Sequence, residues 1–392
     1  MNKGKIIFSQ IMDFIPHHEF RRCVERYQGN YKARSFSCMD QFLCMAFAQL
    51  TGRESLRDIE VCLQAMRSKL YHMGIRGNIS KSTLADANEK RPWQIYADFA
   101  QALICIARPL YQEDEFKVDL DSAAYALDST VMDLCLSLFP WSKAINQRPD
   151  RGSVKMHTLL DLRGNIPAFI KVTNAGVSDV LILDDITPEP GSFYVMDRGY
   201  IDHKRLHLFT QLSAYFVIRA QATLSYRRLY SHPVDKSTGL KSDQTVLFKR
   251  FDSHKRYPDK LRRIHFLDPE NNNDLVFLTN DFLLPALSVC KLYKSRWQIE
   301  LFFKWIKQHL KIKAFYGRSF NAVKTQIWMG VATYVLVAII KKKLKLDMDL
   351  YRILQILGIT IFEKDELFQI LTTNHYKSSS SKNDNQLLLF EL

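Results

Sequence analysis

Acidic residues are nearly missing from one long stretch of this sequence. Between Asp281 and Asp347 there is a single carboxylate, Glu300. The segment 291–345 sets thirteen lysines and arginines against it and carries +12 of the chain's formal +14. Solubility does not explain a lone glutamate in so basic a field. Either it neutralises a neighbour such as Arg296, or it holds a cation that the surrounding charge would otherwise repel. A bound metal and a phosphate chain need the same neighbourhood. Cysteine pairs with metal-ligand spacing are missing too. The seven cysteines (23, 38, 44, 62, 105, 135, 290) are scattered, odd in number and never in CxxC spacing. That argues against structural zinc and for reduced thiols in a cytoplasmic protein. Any metal would be held by oxygen ligands. Long apolar runs are lacking as well. The longest, MGVATYVLVAII at 329–340, is too short for about 30 Å of hydrocarbon, and a buried helix ending in Lys341–Lys343 is expected. The opening MNKGKIIFSQIMDF has neither a continuous apolar core nor a small-residue cleavage site, so no signal peptide is expected.

What is present is a folded, basic chain. Its 392 residues suggest two or three domains, and an apolar content of 47% is that of a globular protein. A pI near 9.3 points to an acidic partner, nucleic acid before a membrane surface. Residues 1–115 read as mostly helical, with an apolar helix from Cys38 to Gln49, another from Glu54 to Met66 and a third opening at Pro92. A polar helix from Ser82 to Lys90 follows a Gly-containing turn. This is the order of a helix-turn-helix, although plain surface helices are equally common after such turns.

The pattern changes near residue 120. AAYALDSTVMDL reads as strand-turn-strand, VKMHTLLDLRGNIPAFIKVTNA as two strands with a tight turn at Arg163–Asn165, and SFYVMD and SAYFVIRA as further strands with short helices between. A mixed sheet with helices on its faces is expected. From 220 to 280 the rhythm differs. Four strand-like pieces carry most of the twelve lysines and arginines that stand against four aspartates between Arg219 and Arg263. A helix of about 25 residues is expected from Leu284.

Two aspartates are placed at strand ends, Asp128 closing YALD and Asp197 closing FYVMD. Glu300 sits on the helix, with Ile299, Phe303 and Ile306 near its apolar face. Three such carboxylates can bind two hard divalent cations and activate a water or hydroxyl. Tyr293, Arg296, Glu300, Lys304 and Lys307 follow at i, i+3, i+7, i+11 and i+14, close to one helical stripe that can grip phosphate oxygens. Each feature also has an ordinary reading. A lone Asp at a strand end is usually a turn former, and Arg296–Glu300 at i, i+4 is usually a salt bridge.

The spacing Tyr293-x2-Arg296-x3-Glu300-x6-Lys307 resembles the YREK signature of the DDE transposases of the insertion-sequence 4 family. It is joined by the DST aspartate, the D-R-G-Y aspartate and a strand-rich insertion before the glutamate. The resemblance spans nearly the whole chain and implies an α/β, RNase H-like mixed sheet flanked by helices, with a β-rich insertion and a helical N-terminal domain. The segments it implies are a helical DNA-binding domain (1–115), a first catalytic part (120–219), a basic β-rich insertion (220–280) and a second catalytic part with the YREK helix (281–345). A C-terminal helical segment (346–376) and a disordered tail (377–392) follow. Asp128, Asp197 and Glu300 take the catalytic metal-ligand positions, for Mg²⁺ or Mn²⁺ as two ions. Tyr293, Arg296 and Lys307 take DNA-phosphate positions, and Lys304 and Arg198 are counted with them. The implied activity is cut-and-paste transposition. Its partners are double-stranded DNA at terminal inverted repeats and target, and a second protomer in a synaptic complex, in a bacterial, nucleoid-associated and membrane-free setting. A domesticated DNA-binding protein and a nuclease of the same fold are the rivals. Some relatives stack a flipped base on a tryptophan of the insertion, but there is none between 198 and 296 here. Tyr226, Tyr230, Phe251 or Tyr257 are the stacking candidates.

Overall fold

The computed structural model describes residues 4–114, 118, 120, 122–135, 139–142, 151–221, 224–269, 272–309 and 315–376. The expected tail, 377–392, lies outside them. Two compact units emerge. One comprises 1–103, 309–317 and 321–392, the other 104–308 and 318–320.

The first unit is helical. Ser37 and Asp40 cap the helix Cys38–Thr51 reciprocally, hydroxyl to backbone at 3.1 Å and carboxylate to backbone at 2.7 Å. Gly52, at φ 65°, ends it in the left-handed conformation that glycine tolerates best. Phe42 packs edge-on against Phe99 of the helix Gln94–Leu110, and Phe20 joins them. The helix expected at 82–90 runs from Lys81 to Lys90, with Ser80 accepting from the Thr83 backbone. Its Leu84, Ala87 and Asn88 face inward.

The apolar run at 329–340 belongs to a longer helix, Phe320–Lys343, whose 24 residues would suffice to cross a membrane. The expected buried helix ending in Lys341–Lys343 is present, and a more polar stretch extends it beyond the apolar run. Burial rather than length decides its place, since 94% of its most apolar window is inside the protein.

The second unit is built on one nine-stranded sheet. In chain order its strands are β1 (Ala124–Cys135), β2 (Arg151–Asp161), β3 (Ile166–Asn174), β4 (Phe193–Met196), β5 (Tyr215–Arg219), β6 (Tyr226–His232), β7 (Leu240–Phe248), β8 (Leu261–Asp268) and β9 (Asn273–Thr279). Their order across the sheet is β3-β2-β1-β4-β5-β9-β8-β7-β6. The first five form the RNase H-like half, with β1, β4 and β5 parallel and β2 and β3 antiparallel. All four residues of β4 are buried, as befits a parallel strand covered on both faces.

Two expectations change. AAYALDSTVMDL is one continuous strand, so Asp128 lies inside β1, opposite Thr158, and does not end it. The helix from Leu284 is two helices, Ala286–Lys294 and Trp297–His309. Ser295 Oγ bonds back to the Lys291 carbonyl, and the ladder tightens to three-residue hydrogen bonds at Arg296, Gln298 and Ile299. Strands β6–β9 continue the same sheet, because β9 pairs antiparallel with β5.

Candidate active site

Strand register brings the two aspartates together. β1 and β4 pair in parallel from Ala124↔Phe193 to Leu127↔Met196, and the next residues along the two strands are Asp128 and Asp197. A neighbouring strand lies about 4.8 Å away. Beyond that point β4 gives way to the short turn Arg198–Tyr200, leaving both carboxylates at the carboxyl edge of the parallel strands, where open sheets place their sites.

The helix Trp297–His309 supplies Glu300. Ile299, Phe302, Phe303, Trp305 and Ile306 form its buried side. Asn165, at the tip of the β2–β3 turn, donates to Gln298 at 3.3 Å and anchors its first turn. Arg296, in the break before this helix, donates through Nη1 to Asp128 Oδ2 at 2.7 Å and through Nη2 to Glu300 Oε1 at 2.5 Å. Tyr293 donates to Asp197 Oδ1 at a long 3.4 Å, and its ring lies 5.9 Å from the Arg296 guanidinium. The tightened turn makes this possible, because side chains three apart eclipse in such a turn.

Burial raises the Asp128 carboxyl to about 6. The Ser129 backbone N–H and Arg296 pull it down, and the charges of Glu300 and Asp197 push it further up. Burial works against the charge on Arg296, but Asp128, Tyr293 and Glu300 outweigh it and hold the guanidinium above its ordinary value. Burial raises Tyr293 to about 12, so it stays a phenol. Arg296 Nε is buried without a partner among the described residues.

Of the residues singled out in the sequence, Asp128, Asp197, Glu300, Tyr293 and Arg296 come together. Lys304 and Lys307 continue along the same helix and are exposed. Arg198 is exposed too, one residue beyond Asp197. Glu300 does neutralise Arg296, as the first reading of that carboxylate held. Among the described residues no three His, Cys, Asp or Glu side chains are grouped so as to hold a metal ion as they stand.

Of the stacking candidates, Tyr257 is excluded. It is fully buried, and its hydroxyl lies 2.8 Å from Thr210 Oγ1. Tyr230 and Phe251 are exposed. Beneath Asp128 lies a network that the sequence reading missed. Ser129 Oγ donates to Asp179 at 2.7 Å, as does Lys155 Nζ at 3.1 Å, and His157 Nδ1 stands 3.5 Å away. Burial lowers His157 to about 4 against the pull of Asp179, so the ring is neutral near pH 7. The signal was a lysine and a histidine at alternate positions inside the otherwise apolar VKMHTLL.

Comparison with known proteins decides the family. A model described as Transposase DDE domain matches residues 120–336, more than half of the chain. The chain belongs to the DDE transposases. A second model, Domain of unknown function (DUF4372), matches 3–76. A transposase of Sinorhizobium fredii, y4zB, is 32% identical over 293 residues, 73% of this chain and 79% of the relative. A transposase of the insertion sequence element IS4SA, from Synechocystis, is 25% identical over 70% of this chain and 76% of its own length. Among solved structures, a piggyBac transposase synaptic complex with hairpin DNA is similar at TM-score 0.46 and 10% identity, over 96% of this chain and 85% of that one. That likeness is too distant to carry detail. The protein is thus a DNA transposase, an enzyme acting on DNA, and its DDE domain implies dependence on divalent metal.

Proposed function

We propose that this transposase is of the insertion-sequence 4 type, with Tyr293, Arg296, Glu300 and Lys307 as its YREK signature. On this reading it cuts an insertion sequence from DNA by hydrolysis at the element ends and joins it elsewhere. The observation that carries the reading is one contact set. Arg296 spans Asp128 and Glu300 while Tyr293 reaches Asp197, so three carboxylates from distant segments share one neighbourhood.

Asp128, Asp197 and Glu300 would hold the divalent cations, Mg²⁺ or Mn²⁺, as two ions. The donor set fits, because carboxylates alone suit a hard cation, and burial together with the lesser repulsion from Glu300 and Asp197 disfavours a charge on Asp128 that a cation would offset. When bound, such ions polarise the scissile phosphate and acidify the attacking water or 3′-hydroxyl. Arg296 neutralises Asp128 and Glu300 and has its Nε left to donate to a phosphate oxygen. Tyr293, kept as a phenol, gives its single O–H to Asp197 here and can redirect it to a phosphate when Asp197 holds a cation. Lys304 and Lys307, both exposed, would serve as point charges and Arg198, also exposed, as a guanidinium fork for the flanking backbone.

The helix Lys81–Lys90 is read as the recognition element of an N-terminal DNA-binding segment. Two protomers would hold paired ends, in a cytoplasmic, nucleoid-associated setting. The test is Glu300→Gln. Metal-dependent cleavage of a terminal-repeat duplex should fall on the order of 10²–10³-fold, the size of removing one preorganised charged group from a reacting centre. End binding, read by gel shift, should stay near wild type. Cleavage at the wild-type rate would sink the assignment of Glu300.

A further inference from the structure

A second basic feature lies in the sheet unit, apart from the carboxylate cluster and the helix that carries Glu300. A cavity of about 430 Å³ opens on one face of β6–β9 and is lined by four arginines, Arg198, Arg219, Arg228 and Arg263. Register explains why they meet. Arg228 pairs with Val246 and Gln244 with Arg263, so these four side chains share one face of the sheet. Arg198 follows Asp197 in the chain. Arg219 ends β5 level with Asp197, because Met196 pairs with Ile218 one residue earlier. The cavity therefore begins beside one of the three carboxylates and extends over the insertion strands.

Its charge is uncompensated. None of the four arginines has a carboxylate within ion-pair distance among the described residues; Arg263 donates only to the amide oxygen of Gln244, at 3.1 Å. The one carboxylate in the lining, Asp274, is already held by Lys241 at 3.1 Å and His265 at 2.6 Å. Tyr226 lines the cavity with the Arg263 guanidinium 6.0 Å from its ring centroid, and its buried hydroxyl has no partner among the described residues. Guanidinium forks matched to tetrahedral oxyanions, an unused phenol donor and four apolar residues, Ala220, Leu224, Val246 and Val276, are what a sugar–phosphate chain requires. A carboxylate ligand would use the charge but not the extended, open shape, which crosses several strands.

We propose that this cavity is a phosphodiester-binding subsite that takes the backbone of one DNA strand as it runs from Asp197 across β9, β8, β7 and β6. The proposal deepens the function given above and rests on it for the identity of the polyanion. Arg228 and Arg263 supply the far contacts, and Arg198 and Arg219 the near ones.

The test is binding without cleavage. The full chain, in chelator, is titrated into a labelled single-stranded oligonucleotide across a salt series and read by fluorescence anisotropy. Arg228→Ala with Arg263→Ala should flatten the slope of log affinity against log salt by about 1.4, two contacts at about 0.7 each for a single strand. Lys255→Ala with Arg256→Ala removes the same charge from the exposed helix Phe251–Arg256 and should leave the slope near wild type. Arg263→Lys keeps the charge, so the slope should persist while affinity drops, which guards against a folding defect in the double variant. Equal flattening by both pairs, or none by the cavity pair, overturns the proposal. So does displacement of the strand by a deoxymononucleotide at equal phosphate concentration, which would mark a nucleotide site. Because cleavage is not read, failure of the Glu300 assignment and failure of this subsite are separately visible.

Discussion

The two ends of the one sheet differ sharply. In β4 all four residues are buried; in β6, seven residues long, none is. β4 is flanked by parallel partners and packs Tyr194 and Met196 into a cluster with Phe209 and Phe216. β6 is an edge strand that pairs only with β7 and carries Arg227 and Arg228 outward. Charged side chains on an edge discourage pairing with other chains, and here they also leave a surface that a polyanion can use. The buried half sets Asp128 within β1 beside Asp197, which follows the end of β4. The open half is free to spend its side chains on a ligand.

Substitutions can break this contrast. Phe216→Ala, at a fully buried position of β5, should cost about 3–5 kcal/mol in urea unfolding, the range for an aromatic lost from a core. Arg228→Ala on the edge should stay within about 0.5 kcal/mol. Similar costs at the two sites would show that the edge is packed after all. The carboxylate cluster can be probed by pH. Asp128, raised to about 6 by burial, gains a proton as pH falls through that value and loses the charge that pairs with Arg296. Apparent affinity for the divalent cation should therefore fall on acidification below about 6, by up to about tenfold per pH unit, as protons compete for Asp128. A profile flat across about pH 5 to 8 would remove Asp128 from its proposed role. The smallest effect is expected at Lys307, exposed on the Glu300 helix. Lys307→Ala should lower the salt slope for duplex DNA by about 0.9, one phosphate contact, with cleavage otherwise intact. An unchanged slope would take Lys307 out of the DNA contacts.

Much of this was legible in the chain. Alternating and apolar runs marked every strand of the second unit, and the DLRGN turn behaves as read, with Asp161 accepting from the Arg163 backbone at 3.1 Å. The spacing from Tyr293 to Glu300 pointed to a cluster, and those residues do meet Asp128 and Asp197. Other features were not legible. Nothing in LYKSRWQIE announces a helix break, since it contains neither Gly nor Pro. The break rests on a serine back-bond and on contacts that Arg296 makes with residues 168 positions away. Nor does β1 show locally that it runs straight through Asp128. Its partner strand β2 extends the pairing to Cys135, and a sheet partner overrides a turn-like DST.

The sequence by itself determined the local elements, the excess of basic charge around Glu300 and the spacing of the residues that carry chemistry, because helix and strand periodicity and charge are properties of neighbouring residues. Only the tertiary structure decided that β9 docks on β5 and makes one sheet of two halves. It also decided that Arg296 lies between Asp128 and Glu300, and that three arginines from separate strands and a fourth from the turn after β4 line one cavity. These depend on strand order and register between segments far apart in the chain, and pairings of that kind are set by burial of the whole sheet rather than by any stretch of it.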